Sequence, residues 1–183
     1  MLFGNKSTFA IESELSRQEP GWVFTHFRLW ANHHPIGDFT ENAVLRDCVG
    51  HLAEFVTKEN VALDARLVDK PMEEVFKCVF EQEMITCYPN ETLDDAYERW
   101  SKEIKPATCI IENARARFHL DYVGMSAFMD KVNVILVDNG DGNGRLIWRE
   151  LQSMQLQEAW FPLAAFFEAS NQFLEWANSQ LNR

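Results

Sequence analysis

Residues 22–31 read Trp-Val-Phe-Thr-His-Phe-Arg-Leu-Trp-Ala, and this stretch decides the fold. Successive side chains of a β-strand point to opposite faces of a sheet. Large apolar residues lie on both faces of this run, with Val23, Phe27 and Leu29 on one and Trp22, Phe24 and Trp30 on the other. A run that is apolar on both faces predicts a strand in the interior of a sheet.

The preceding segment completes a hairpin. Phe9, Ile11 and Leu15 share one side of an extended run, and two glutamates lie on the other side. Turn-forming residues at 16–21 separate this run from the central strand. Two alternating runs around a short turn predict a β-hairpin.

The middle third changes to helical spacing. Apolar residues recur at intervals of three and four over residues 45–56, 72–80 and 93–104. Such spacing places them on one face of a helix. Pro71 suits a first helical turn. Three amphipathic helices are therefore predicted in series.

The last third returns to strands. Residues 115–122 alternate apolar with polar side chains and predict a strand. The apolar runs 132–137 and 146–148 flank the polar turn 138–144 and predict a second hairpin. Helical spacing returns at 163–181.

These elements predict an α+β fold with a single antiparallel sheet covered by amphipathic helices. Strands lie near both ends of the chain, and helices lie in the middle and at the C-terminus. No internal repeat or linker divides the sequence. We therefore expect a single domain over residues 1–183.

Composition narrows the class of protein. The chain has 183 residues, 46% of them hydrophobic and 13% aromatic, which excludes intrinsic disorder. No apolar run approaches the length that spans a bilayer, and residues 1–10 lack the layout of a secretion signal. A net charge of −11, from 28 acidic and 17 basic residues, argues against nucleic acid as a direct partner.

Four cysteines, Cys48, Cys78, Cys87 and Cys109, are spread singly along the chain. They lack the close pairs of a metal cluster, so we expect reduced thiols in a cytoplasmic protein. Cys48 and Cys109 have apolar neighbours and are expected in the core.

The negative charge is concentrated in the helical middle. Residues 41–103 hold 15 acidic and 7 basic side chains, a net of −8. Such charge indicates either a solvated helix face or a surface that captures a basic partner. The sequence pattern is the same in both cases, so both interpretations stay open.

The turn of the second hairpin resembles a calcium-binding loop in its spacing. The matching positions one, three, five, six and twelve are Asn139, Asp141, Asn143, Gly144 and Glu150. Asparagine in place of aspartate at the first position and strands in place of flanking helices favour a plain hairpin turn. A calcium- or small-ligand-binding module using residues 138–150 remains the alternative function.

Enzyme chemistry has little support in the sequence. Asp47 and His51 lie one helical turn apart, where a row of surface salt bridges is a better explanation than a metal site. His119 and Asp121 share a predicted strand face that a hydrolase could use. Polar residues alternating along a half-exposed strand explain them more simply.

Several short motifs follow one another in a distinctive order. Residues 3–12 read Phe-Gly-Asn-Lys-Ser-Thr-Phe-Ala-Ile-Glu, then come Gly-Trp-Val-Phe at 21–24, Trp30, Ile-Gly-Asp at 36–38 and Leu-Arg-Asp at 45–47. In this order and spacing the chain resembles the immunity protein 42 family, most strongly over its first fifty residues.

Members of that family are small bacterial cytoplasmic proteins encoded beside polymorphic toxins, which they neutralise in the producing cell. The resemblance implies a toxin-neutralising protein with no catalysis and no cofactor. The matching positions Trp22, Trp30, Gly37 and Asp38 are expected to define the fold, through an aromatic core, a tight turn and the start of a helix.

The resemblance and the charge distribution lead to the same expectation. An acidic face suits an inhibitor of a basic toxin such as a nuclease, because it competes with a negatively charged substrate. We therefore expect a cognate toxin domain as partner, with no direct binding to nucleic acid or membrane. The expected partner-binding residues are Glu73, Glu74, Glu81, Asp94, Asp95 and Glu98.

Overall fold

The predicted first hairpin forms the centre of a five-stranded antiparallel sheet. The computed structural model describes residues 1–57, 62–81, 111, 114–129 and 131–182. Strand β2 (Phe9–Glu19) pairs with β3 (Trp22–Ala31), and β1 (Leu2–Gly4) lies beside β2. On the other side of β3 lie β4 (His34–Ile36) and β5 (Ala43–Val44). The prediction that β3 is an interior strand is confirmed.

The second hairpin belongs to a separate three-stranded sheet. Its strands are β6 (Val132–Asp138), β7 (Asn143–Glu150) and β8 (Leu156–Pro162), paired in that order. The α+β class is thus confirmed, but among the described residues the strands form two sheets instead of the single sheet expected. The reason is that β6, β7 and β8 pair as a local meander, and in the part of the chain that the structure describes no ladder joins them to the first sheet.

Among the described residues, helices lie in the middle of the chain and in its C-terminal part. They are α1 (Leu45–Thr57), α2 (Met72–Phe76), a π-helical turn (Lys77–Glu81), α3 (Ala114–Phe118), α4 (Ser126–Met129) and α5 (Leu163–Leu181). The predicted helices at 45–56, 72–80 and 163–181 are confirmed, with 72–80 divided between α2 and the π-helical turn. The predicted helix at 93–104 lies outside the described residues. No described helix is long and apolar enough to cross a membrane.

The strand predicted at 115–122 is wrong. Residues 114–118 form α3, and only His119 makes a bridge to Ile135 of β6. Ala114 and Phe118 are both buried, because residues four apart lie on the same face of a helix. Alternation over so short a run does not distinguish a strand from a single helical turn.

Aromatic rings join the two sheets to α5. Phe9 of β2 lies 5.2 Å from Phe161 of β8 and 5.2 Å from Phe166 of α5, between ring centroids. Phe173 of α5 lies 5.4 Å from Phe27. Edge-to-face and tilted ring pairs add roughly 0.5–1.5 kcal/mol each beyond the burial of their area. One continuous apolar core therefore lies between the sheets and α5.

Both cysteines in the described residues, Cys48 and Cys78, are buried. Cys48 lies on the inner face of α1, as expected, and Cys78 lies in the π-helical turn. Burial raises the pKa of the Cys48 thiol to about 12, so the thiol stays protonated and unreactive. Cys87 and Cys109 lie outside the described residues.

Candidate partner-binding surface

The outward face of β3 carries a row of aromatic and cationic side chains. Thr25, Phe27 and Leu29 are buried on the inner face of the sheet. The residues between them therefore point to the opposite face. We call this row the outer stripe, and it consists of Trp22, Phe24, His26, Arg28 and Trp30.

Glu12 on β2 fixes one end of the outer stripe. Its Oε2 atom accepts hydrogen bonds from Arg28 Nε at 2.7 Å and from Trp30 Nε1 at 2.8 Å, and lies 3.5 Å from Lys6 Nζ. Burial alone raises the pKa of Glu12, but these donors and the two cations outweigh it and lower the pKa below its usual value. The carboxylate is therefore ionised and orients its neighbours.

Cations also lie over the rings of this face. Lys6 Nζ is 3.8 Å from the ring centroid of Trp30, and Arg28 Cζ is 4.6 Å from the rings of both Trp30 and Phe39. Contacts of this kind contribute roughly 0.5–2 kcal/mol. Arg28, with 25% of its side chain exposed, is held by one ion pair and two rings.

A cleft of about 430 Å³ lies beside Arg28, where the segment after β4 faces the second sheet. Lys131, Glu150 and Gln152 line its far side. On the near side, Asp38 accepts hydrogen bonds from the Thr40 amide at 2.9 Å and the Thr40 hydroxyl at 2.6 Å. These bonds lower the pKa of Asp38 below its usual value. Lys131 Nζ lies 3.8 Å from the same carboxylate.

The four positions that resemble the immunity family have different environments. Gly37 makes the expected tight turn, with φ of +94°. Asp38 stabilises that turn through Thr40, and α1 begins only at Leu45, so Asp38 does not start the helix. Trp22 is 52% exposed at the tip of the first hairpin, and Trp30 lies half-buried on the outer face, so neither belongs to the apolar core.

The expected acidic partner-binding residues are only partly described. Glu73 is exposed on α2, whereas Glu74 Oε1 lies 2.7 Å from Lys70 Nζ in a half-buried ion pair. Glu81 ends the π-helical turn. The remaining three, Asp94, Asp95 and Glu98, lie outside the described residues.

Two arginines of β7 hold the segment that carries Glu73 and Glu74 against the second sheet. Arg145 is 4% exposed; its Nη1 donates to the Lys70 carbonyl at 2.7 Å, and its Nη2 lies 2.6 Å from Glu158 Oε2. Arg149 Cζ lies 4.7 Å from the ring of Phe76 in α2. The segment that carries Glu73 is therefore anchored at its start and along α2.

The structure does not bring the calcium-loop positions together. Asn139, Asp141 and Asn143 lie at the tip of the second hairpin, and Asp141 Oδ1 accepts a hydrogen bond from the Asn143 amide at 2.9 Å. Glu150 pairs with Val132 at the opposite end of the ladder, roughly 20 Å away at the rise of an extended strand. Within the described ranges, no group of three His, Cys, Asp or Glu side chains has the geometry to hold a metal ion.

His119 and Asp121 are both buried, each with 5% exposure. His119 Nδ1 lies 3.4 Å from Asp121 Oδ1, and the imidazole stacks on Phe80 at 4.9 Å between ring centroids. Catalysis by this pair would require a substrate to reach them. The pair instead packs α3 and the π-helical turn together.

Gly37, Asp38 and Glu150 line the cleft and were noted in the sequence for other reasons, but no pattern in the sequence predicted the cleft itself. Arg28, Phe39 and Lys131 are far apart in the chain, and only the approach of the two sheets unites them. One signal was present, since Arg28 is a cation at an outward position of a strand otherwise rich in aromatic residues. On a sheet, such a cation stacks on its neighbours' rings.

These features define an α+β protein whose two sheets share one core and whose exposed faces carry charged and aromatic side chains. The chain belongs to the immunity protein 42 family, whose model matches residues 1–176, nearly the whole chain. This membership supports an immunity protein role and implies a cognate toxin as partner. No curated protein and no solved structure matches the chain.

Proposed function

We propose that this protein binds the toxic domain of a bacterial polymorphic toxin and neutralises it in the cytoplasm of the producing cell. The observation that carries the proposal is the match of the immunity protein 42 family over residues 1–176. In the proposed role the chain acts as a single domain, uses no cofactor and catalyses no reaction. Inhibition results from occupying the toxin's own functional surface.

The charge distribution supports an acidic contact with a basic toxin domain. Residues 41–103 carry a net charge of −8, and the anchored α2 presents Glu73 to solvent. An acidic surface attracts a basic domain over several ångströms and increases the rate of encounter. Fast capture suits an inhibitor whose target is harmful at low concentration. A nuclease is the toxin class whose phosphate-binding cleft fits such a surface best.

Protection from the toxin tests the proposed function. The test uses the toxic domain that the proposed role expects to be encoded immediately beside the gene for this protein. We expect its expression alone to stop growth, and we expect co-expression of residues 1–183 to restore growth. Purified toxin domain and purified chain should also form a complex on size-exclusion chromatography. Growth arrest that persists despite soluble co-expressed chain would contradict the proposal.

Charge reversal tests the acidic surface separately. We expect a variant with Asp94→Lys, Asp95→Lys and Glu98→Lys to bind the toxin at least about tenfold more weakly, because attraction becomes repulsion. Its thermal midpoint should remain near that of the parent protein, because the proposal assigns these three charges to contact with the toxin and not to the stability of the fold.

A matched control keeps the total charge change the same. Glu168→Lys, Glu175→Lys and Asp141→Lys reverse three exposed carboxylates on α5 and the second hairpin. This control should retain protection. If the two triple variants bind the toxin with equal affinity, the acidic residues within 41–103 do not form the binding surface. The toxin-binding role would then still stand.

A further inference from the structure

Arg28 presents unused hydrogen-bond donors to the cleft. Its Nε donates to Glu12, and the guanidinium lies over the rings of Trp30 and Phe39. Within the described part of the chain, Nη1 and Nη2 have no hydrogen-bond acceptor. Two adjacent amino groups of a guanidinium match the two oxygens of a carboxylate.

The packing of Arg28 prepares it for binding. A flexible arginine side chain loses conformational entropy when it binds a ligand, and this loss weakens the affinity. Here Glu12 and two rings already fix the guanidinium plane before any partner arrives. An incoming anion therefore meets an oriented donor pair.

The cleft's own carboxylates are already engaged or distant from this donor pair. Asp38 accepts from Thr40 twice and pairs with Lys131, while Glu150 accepts from Ser153 at 3.5 Å. No described carboxylate other than Glu12 lies within ion-pair distance of Arg28. The cleft thus contains the oriented guanidinium of Arg28, the ammonium group of Lys131 at its rim and about 430 Å³ of open volume.

We propose that this cleft is a second docking site for the toxin, and that it takes a carboxylate side chain from an acidic loop of the toxin domain. The inference rests on the proposed function. In the contact proposed above, acidic residues of this chain bind a basic surface of the toxin; in the cleft, a basic residue of this chain binds an acidic group of the toxin. The cleft adjoins the outer stripe, whose aromatic side chains and arginine are the residue types that dominate protein interfaces. A protein loop is favoured over nucleic acid, because a chain with a net charge of −11 repels a polyphosphate more strongly than a single carboxylate.

Small probes test the chemistry of the cleft without the toxin. The probes are acetyl-Gly-Glu-Gly-amide, the matching glutamine peptide and a short oligothymidylate, each titrated into ¹⁵N-labelled protein. We expect the glutamate peptide alone to shift the Arg28 Nε and Trp30 Nε1 resonances in a saturable manner. Equal shifts from the glutamine peptide, or larger shifts from the oligonucleotide, would overturn the carboxylate assignment.

A charge placed in the cleft tests the site without disturbing Arg28. Gln152 is exposed and lines the cleft, so Gln152→Glu adds one negative charge opposite the guanidinium. Gln18→Glu makes the same change at an exposed position on β2, away from the cleft. We expect Gln152→Glu to weaken toxin affinity about tenfold and Gln18→Glu to leave it within about twofold.

Different results would contradict the proposed toxin-binding function and the proposed docking site in the cleft. If the toxin domain does not bind the parent protein, the proposed function fails, while the peptide titration still decides the chemistry of the cleft. If the toxin binds the parent protein and Gln152→Glu equally well, the cleft is not a docking site and the toxin-binding role stands.

Discussion

Gly37 lies where the chain leaves β4 and passes the ring of Phe128. Its φ of +94° falls in the region that residues with a Cβ rarely adopt. A Cβ built at this position would lie 2.0 Å from Cε1 of Phe128, a buried ring that cannot move freely. Both the backbone conformation and the available space therefore require glycine.

Replacing Gly37 with alanine should destabilise the protein strongly. We expect Gly37→Ala to lower the free energy of unfolding by roughly 2–4 kcal/mol, from backbone strain and displacement of Phe128. Urea denaturation measures the change. Gly50→Ala is the control, because Gly50 lies within α1 with open space around it and should gain roughly 0.5–1 kcal/mol. A loss for Gly37→Ala no larger than 0.5 kcal/mol, on the order of a surface substitution, would contradict the argument.

The environments of some single residues could be predicted from the sequence, and those of others could not. The family resemblance implied a tight turn at Gly37, and in the structure this residue has a φ of +94° in the bend after β4. Trp22 could not be placed in the same way. Its apolar character suggested the core, but it lies at the hairpin tip in the outer stripe, where it is 52% exposed.

Arg145 connects elements that are distant in the chain. It joins β7 to β8 through Glu158 and joins β7 to the start of α2 through the Lys70 carbonyl. Its side chain also lies 4.9 Å from the ring of Trp160. Through these partners, the buried Arg145 determines the position of α2 on the second sheet.

Removing this cation should loosen α2. We expect Arg145→Met to lower the free energy of unfolding by roughly 2–3 kcal/mol, because the Lys70 carbonyl and Glu158 lose their partner. Hydrogen exchange followed by mass spectrometry should show faster exchange in residues 64–81 than in β2 and β3. Arg17→Met, which breaks an ion pair exposed on both sides, should change stability by less than about 0.5 kcal/mol. Unchanged exchange over 64–81 would show that α2 does not depend on Arg145.

Elements were predictable where their local pattern was long. Both hairpins and α5 followed from alternation, turn residues and helical spacing over many residues. Strand β8 was missed, because only Ala159 and Phe161 of its seven residues are buried and Pro162 ends it. Residues 115–122 were misassigned because contacts with β6 and the π-helical turn, and not local alternation, determine their conformation.

At the scale of the whole molecule, the excess negative charge and the outer stripe belong to different parts of the sequence. The net charge of −8 in residues 41–103 accounts for most of the total of −11. The outer stripe and the cleft instead contain ion pairs around Glu12 and Asp38. The cleft could not be predicted from the sequence, because it exists only where the two sheets approach each other.

Long-range attraction between the whole protein and a basic toxin should depend on salt. We expect the association rate constant to fall by about 10- to 100-fold as the salt concentration rises from about 0.02 to 0.5 M, because ions screen exposed charges. The dissociation rate constant should change much less. Stopped-flow fluorescence measures both, with sucrose at matched viscosity as the control. A salt-independent association rate would exclude electrostatic steering.

The packing of α5 has a consequence for when the first sheet can be covered during synthesis. Phe173 of α5 covers Phe3 and Phe27 of the first sheet, yet β2 ends at Glu19 and α5 begins at Leu163. At a bacterial synthesis rate of about 5–20 residues per second, the first sheet, which ends at Val44, waits roughly 6 to 24 seconds until synthesis reaches Leu163 of α5. A half-made chain therefore exposes apolar surface to proteases and chaperones. In the proposed role, a nascent chain therefore cannot neutralise the toxin until α5 has been translated and has packed on the first sheet.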